Sequence, residues 1–278
     1  MAVVAAPLLI WTFYYRRPEA TWLLVYAASL LAVAELLAMT MKDRPGDRKV
    51  LLAIAAVACA ALYWLHPAGV GRAVDAASAF ALLPLGPLVA MVIAVLAPGL
   101  YFLFRFGDME SAAPRWAYAI TSIFYCGFMA TTLAMAKRDF GDHGGDVVLL
   151  VLLLAWLGDT GAYFAGRFLG NRKLYPEVSP KKTWAGAYGG LAGSLVAAAG
   201  MKMLRLHHLD WLDVVLIAVP GSALGQLGDL VESLIKRSVG VKDSGALLPG
   251  HGGILDRIDA VLFIAPYVYL YLQVSSLA

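Results

Sequence analysis

Nine apolar runs, each close to continuous, constrain this chain more than any other feature of its sequence. They lie near residues 2–15, 21–41, 50–65, 76–104, 114–136, 146–166, 184–201, 211–235 and 256–274. The sixth opens "DVVLLVLLLAWLG" (146–158), where apolar residues follow one another without the alternation of a half-buried strand. About 20 such residues cross a hydrocarbon layer of roughly 30 Å as a helix. A backbone in that layer must satisfy its own hydrogen bonds, which leaves helices or closed barrels, and the absence of alternation selects helices. Composition agrees: 61% of residues are hydrophobic, against about 45–50% in soluble domains. The expected fold is all-α, a polytopic integral membrane bundle of about nine transmembrane helices forming one continuous unit.

Local features refine this expectation. The first run is short for a span, so it is expected to tilt, lie at the interface or be truncated. It lacks a basic leader and a clear cleavage site, and is read as a membrane segment rather than a removable signal. Pro84 and Pro87 are expected to kink or break the fourth run. "GAYGGLAG" (186–193) suits close helix–helix approach in lipid. Cys59 and Cys126 both fall inside apolar runs, with neither a disulfide framework nor zinc spacing, and are expected in the core.

Charge sets the orientation. If each Lys and Arg is assigned to its nearest connection, the even-numbered connections hold 15 of the 22 cations. Cytoplasmic loops carry the excess of Lys and Arg, so the even connections are expected in the cytoplasm. Nine spans then put the N-terminus inside and the C-terminus outside. The stretches 171–184 and 236–259 fall on one cytoplasmic face.

Chemistry concentrates in those two stretches. On a helix over "GQLGDLVESLIKR" (225–237), Asp229, Ser233, Lys236 and Arg237 form one stripe, with Glu232 at its edge. Such groups on an apolar helix are costly unless they face a polar cavity; ion bridges with a basic helix end are the plainer explanation. "GHGG" (250–253) then offers a backbone able to approach an anion closely, with His251 between glycines and Gly252 and Gly253 following. "LDRID" (255–259) places Asp256 and Asp259 on one face near a helix N-terminus, where carboxylates serve as dipole partners. With Asp229 they can instead form an oxygen-rich Mg²⁺ site that recruits substrate phosphates. Lys236, Arg237, Lys242 and Arg257 around them suit a nucleoside triphosphate and the charge of phosphoryl transfer. Upstream, "SPKKTW" (179–184) brings Ser179, Lys181, Lys182 and Thr183 to the start of the seventh run, an anion-friendly helix end or simply a basic topology stop. Asp159, in "WLGDTGAYFAGRFLG" (156–170), either lines a cavity and ligates metal or makes a helix–helix hydrogen bond. Glu35, inside the second run, has no evident partner and is assigned a structural role.

Together, Ser233-x-x-Lys236-Arg237-x4-Lys242-Asp243-x-Gly245-x3-Pro249-x-His251-Gly252-Gly253-x2-Asp256-Arg257-x-Asp259 resembles the signature of the phosphatidate cytidylyltransferase (CDP-diacylglycerol synthase) family, with every fixed position filled over 27 residues. "GDLVES", "SPKKTW" and "GDTGAYFAGR" are also similar to family members, so the likeness covers about the second half of the chain. One departure is Ala185, where the family usually has Glu or Gln. The resemblance implies an integral membrane enzyme of the bacterial inner membrane, with its active site facing the cytoplasm. It implies transfer of the CMP moiety of CTP to phosphatidic acid, with Mg²⁺ as cofactor, the bilayer as setting, no nucleic acid partner and a homodimeric assembly. Residues 1–110 would supply N-terminal transmembrane helices and 111–278 the catalytic region. By the same analogy, Asp229 and Asp256 lead as metal ligands, followed by Asp259 and Asp159. Lys236, Arg237, Lys242 and Arg257 would neutralise phosphates, and Ser233 and His251 would position them, with Asp243 alongside in the motif. Lys181 and Lys182 would hold a lipid phosphate or the triphosphate. A CTP-dependent lipid kinase is the nearest alternative. A transporter would spread its charges along several spans, whereas here they cluster at one face.

Overall fold

A computed structural model describes residues 9–65, 85–105, 107–245 and 252–275 of the chain. The runs emerge as helices, with boundaries shifted by a few residues. They are α1 (Pro18–Thr40), α2 (Pro45–Trp64), α3 (Leu85–Phe104), α4 (Met109–Asp139), α5 (Gly144–Leu169), α6 (Trp184–Leu204), α7 (Trp211–Ser238) and α8 (Leu255–Ser275). Helix α4 is continuous through a π-helical turn at Ile123–Phe128. The first run is described only from residue 9 and is helical over 9–14. Among the described residues, six helices are long and apolar enough to cross a membrane: α1, α3, α4, α5, α7 and α8. Helix α2 is as long but opens with Asp47, Arg48 and Lys49, and glycines dilute the hydropathy of α6. The expected nine spans are therefore not all marked by length and apolarity alone.

Pro84 lies outside the described residues, and Pro87 falls in the first turn of α3, where its missing N–H would be unsatisfied anyway. Between α5 and α6 the chain forms a small antiparallel ribbon, β1 (Lys173–Tyr175) and β2 (Ser179–Thr183), which the apolar pattern could not announce. Thr183 ends β2 and caps α6, its Oγ1 accepting from Gly186 N at 3.1 Å.

Helices α5 and α6 meet with almost no side chain between them. A Cβ on Gly193 would sit 2.1 Å from the Leu157 carbonyl oxygen, and one on Gly161 would sit 2.2 Å from that of Gly189. In lipid there is no hydrophobic gain from association, so such backbone-to-backbone contact supplies the packing instead. Leu36, Leu51, Ile123, Leu150, Leu262 and Ile264 fill the buried core, and Cys59 and Cys126 are buried and free as expected. Large apolar side chains such as Leu88, Leu96, Leu100 and Leu103 face outward, as a lipid-facing surface requires.

The connections sort to two ends. At one end, Arg115 pairs with Asp47 at 3.1 Å, Lys42 Nζ donates to the Val239 carbonyl at 3.2 Å, and Lys182 meets Asp229 at 2.7 Å. These contacts join the α1–α2, α3–α4, β-ribbon and α7–α8 regions, the even-numbered connections of the sequence. At the other end, Asp146 accepts from Tyr14 OH at 2.6 Å and Arg205 Nε at 2.9 Å, and Tyr269 OH donates to Asp139 at 2.8 Å. The cation-rich connections share one end of the bundle.

Candidate active site

Helices α7 and α8 cross where their backbones can touch. A Cβ on Gly228 would lie 2.7 Å from the Asp259 carbonyl oxygen, so this glycine sets the closeness of the crossing. The consequence is a carboxylate cluster: Asp229, Glu232 and Asp259 each bring an oxygen within 4.8 Å of the others. Asp229 Oδ2 pairs with Lys182 Nζ from β2 at 2.7 Å, and Ser233 Oγ lies 3.5 Å from Asp229 Oδ1. Glu232 Oε2 pairs with Lys236 Nζ at 2.5 Å. Its other oxygen is buried without a hydrogen-bond partner among the described residues. Asp259 accepts only a short bond from Ala260 N, at 2.8 Å, among the contacts resolved for it.

The third carboxylate of the cluster is thus Glu232, which the sequence placed at the edge of the stripe. Asp256, named there among the leading metal ligands, stands beside the cluster and shares Lys236 with Glu232. Its Oδ1 takes Lys236 Nζ at 2.7 Å. Its Oδ2 takes Gly253 N at 2.8 Å and Ser244 N at 3.1 Å, with Ser244 Oγ at 3.0 Å. Ser244 Oγ also lies 3.1 Å from Glu35 Oε2, so one hydroxyl links two carboxylates. Glu35 does have partners after all. It accepts from Ile254 N and Leu255 N, both at 2.9 Å, and so caps α8 from a helix more than 200 positions earlier.

The two loop glycines acquire a definite steric reason. Gly252 has φ +78°, and a Cβ there would sit 2.4 Å from Asp256 Oδ2; one on Gly253 would sit 2.3 Å from Glu35 Oε2. Their smallness makes room for the protein's own carboxylates. His251 lies outside the described residues. Lys242 and Asp243 are exposed, and Arg237 donates to the Val241 carbonyl at 3.3 Å, folding back on its own loop. Arg257 is exposed on α8, and its charge acts on Asp159.

Beside the cluster lies a cavity of about 530 Å³, lined by Asp159, Arg167, Lys181, Lys182, Thr183 and Asp229 among others. Ser179 opens β2, paired with Tyr175 across the ribbon, and does not line this cavity. Two contributors went unassigned in the sequence. Arg167, one helical turn from Tyr163, donates to the Tyr163 hydroxyl at 2.6 Å, which orients it at the cavity. Gln226 donates to the Ala187 carbonyl at 3.2 Å and ties α7 to α6. An apolar groove of about 490 Å³, walled by Trp184, Tyr188, Leu191, Leu227 and Leu230, shares Leu174, Ala187 and Gln226 with the polar cavity. The two spaces share a wall, one lined by charge and the other apolar.

Comparison with known proteins fits this arrangement. The model of the cytidylyltransferase family matches residues 1–275. The chain belongs to that family. Among its relatives, a phosphatidate cytidylyltransferase of Staphylococcus haemolyticus is 37% identical over 251 residues, 90% of this chain and 88% of that protein. One of Bacillus subtilis is 45% identical over 139 residues, 50% of this chain and 52% of the relative. One of Brucella suis is 42% identical over 149 residues, 54% of each. The chain therefore aligns with about half the length of the Bacillus and Brucella proteins and with nearly all of the Staphylococcus one. Within this cytidylyltransferase, the charged end of α7, the start of α8 and the β-ribbon form one site.

Proposed function

We propose that this cytidylyltransferase transfers the CMP moiety of CTP to phosphatidic acid, giving CDP-diacylglycerol and pyrophosphate. The observation that carries the reading is the junction of a cation-lined cavity with a carboxylate cluster and an apolar groove at one end of a membrane bundle. Phosphates and a pair of acyl chains need those two environments side by side. Lys181, Lys182 and Arg167 supply positive charge to the cavity, and the groove between α6 and α7 offers apolar cover.

The carboxylates suit a divalent cation, with Mg²⁺ as the expected one. Among the described residues, Asp229, Glu232 and Asp256 pair with two ammonium groups, Lys182 and Lys236, and Asp259 stands in the same cluster. One buried Glu232 oxygen has no hydrogen-bond donor among the described residues, and a bound cation would give that oxygen a partner. Asp229, Glu232 and Asp259 would hold the ion, with Asp159 across the cavity. When bound it would neutralise phosphate charge and help orient the reacting groups.

The chain's own residues define the rest. The attacking group is an anionic phosphate oxygen of the lipid, which needs no proton removed and no covalent enzyme intermediate. It must approach the α-phosphorus of CTP in line with the departing pyrophosphate, so catalysis is mostly positioning and charge neutralisation. Lys182 is held at the cluster by Asp229, which fixes its ammonium group between cavity and carboxylates. Lys236 is clamped between Glu232 and Asp256 and so acts first on the protein's own anions. The cation-rich connections support a cytoplasmic orientation of this end, bacterial relatives support an inner-membrane location, and homodimerisation follows from the family likeness.

The test is product identification with purified protein, phosphatidic acid, labelled CTP and Mg²⁺. Pyrophosphate and CDP-diacylglycerol are expected; CDP with a phosphorylated lipid alcohol would identify a kinase instead. Asp229→Asn should lower turnover at least about 100-fold while the protein stays inserted, on the scale of lost electrostatic stabilisation at a reacting phosphate. Wild-type-like activity in that variant would remove Asp229 from the site.

A further inference from the structure

The π-helical turn of α4 has a position that the family motif does not explain. Such turns are rare and concentrate at functional sites, because the additional residue rotates the succeeding side chains by about 100° around the helix axis. Here the turn carries Tyr125, which is 6% exposed and whose hydroxyl has no hydrogen-bond partner among the described residues. A phenylalanine would fill the same space without leaving a buried hydroxyl unpaired.

The surroundings of that hydroxyl point to the carboxylate cluster. The Tyr125 ring stands edge-on to Phe263, with centroids 6.0 Å apart. Phe263 lies one turn along α8 from Asp259 and faces Gly228, where an added Cβ would come within 3.0 Å of the ring. The neighbours of Gly228 on α7 are Asp229 and, one turn on, Glu232. Asp259, Glu232 and Asp229 are the carboxylates whose charges reach the phenol. Glu232 meanwhile keeps one buried oxygen without a donor among the described residues. A buried donor and a buried acceptor thus stand at one cluster without bonding each other.

Cation binding would resolve this mismatch. Cluster oxygens lie within 4.8 Å of one another, close to the about 4.2 Å that separates opposed ligands of Mg²⁺ at about 2.1 Å, so a bound ion would hold the three together. We propose that Tyr125 is a positioning residue of the acidic site, its hydroxyl donating to a cluster carboxylate when a divalent cation holds the three together. The proposal rests on the reading of Asp229, Glu232 and Asp259 as the cation site. Ligating carboxylates are commonly oriented by such a second donor, and losing one typically costs 10–100-fold in metal affinity.

The experiment is Mn²⁺ titration of the purified full chain, with free ion followed by electron paramagnetic resonance, on wild type, Tyr125→Phe and Glu232→Gln. Tyr125→Phe is expected to weaken Mn²⁺ binding about tenfold and to raise the Mg²⁺ concentration for half-maximal velocity by a similar factor. Its metal-free unfolding midpoint should be unchanged or higher, because an unpaired buried hydroxyl has gone. Binding within about twofold of wild type in Tyr125→Phe, with Glu232→Gln impaired, would overturn the role of Tyr125 and leave the cation site standing. A lowered metal-free midpoint with unchanged Mn²⁺ affinity would mark a purely structural tyrosine and overturn it too. If wild type retains no Mn²⁺, or Glu232→Gln binds as tightly as wild type, the cation reading fails and the proposal fails with it.

Discussion

Replacing Glu35 should loosen the whole start of α8. Its carboxylate accepts from the backbone N–H groups of Ile254 and Leu255, each at 2.9 Å, and touches Ser244 Oγ at 3.1 Å. The N–H groups at a helix start have no partner within the helix, and Glu35→Ala strips them of this one. Hydrogen bonds to a charged group contribute about 1.5–3 kcal/mol each. Glu35 is only partly buried, so water recovers some of the loss and the lower figure applies to each of the two backbone bonds. The anion also faces the positive end of α8, which adds about 0.5–1 kcal/mol. The expected destabilisation is roughly 3–4 kcal/mol, summed from those two contributions. At about 2–4 °C per kcal/mol for chains of 150–250 residues, the midpoint should fall by roughly 10 °C. A thiol-reactive dye on detergent-solubilised protein reads this directly, because Cys59 and Cys126 are free and buried until the fold opens. Glu35→Gln retains an accepting oxygen but presents an NH₂ group to the second N–H, so about half the drop should remain. Turnover should fall as well, since Ser244 and Gly253 also hold Asp256 and through it Lys236. A midpoint within about 2 °C of wild type for Glu35→Ala, under one kcal/mol on that scale, would refute the capping argument.

Two further outcomes are expected. Gly193→Val should force α5 and α6 apart, since its Cβ would start 2.1 Å from a backbone oxygen that cannot rotate away. A loss of at least about 1–3 kcal/mol is expected, whereas Gly200→Ala on the same helix, with open space around it, should be neutral or mildly stabilising; unfolding midpoints compare the two. Single cysteines at Glu177→Cys and Lys242→Cys, in a background lacking Cys59 and Cys126, should react with an impermeant maleimide from the same side of the membrane. His207→Cys should react from the other side. Opposite sides for positions 177 and 242 would break the site, because Lys182 and Asp229 could not then meet.

The pattern of apolar runs determined the helices, and the motif determined the family, because both are local properties. Hydropathy needs only neighbours in sequence, and 27 residues near the C-terminal end were specific enough to name the chemistry. The meeting of "SPKKTW" with the stripe on α7 was also foreseeable, from charge sidedness alone; the 2.7 Å pair of Lys182 and Asp229 gives it a distance.

Which carboxylate points where was a different matter. Asp256 and Glu232 were both visible as acids near cations, yet their roles depend on rotamers and on donors from distant segments. Ser244 and Gly253 hold Asp256, and the close α7–α8 crossing at Gly228 brings Glu232 to Asp229 and Asp259. Glu35 had no partner legible in sequence because its partners begin with Ser244, on another element. Tyr125 is hidden for the same reason: a π turn leaves no mark in residue periodicity, and a buried hydroxyl shows its lack of a partner only once every neighbour is in place. Sequence settles what a segment is, because propensity and solvation act residue by residue. Tertiary structure settles what a polar group does, because a buried charge takes its meaning from whatever the rest of the chain brings within about 3 Å of it.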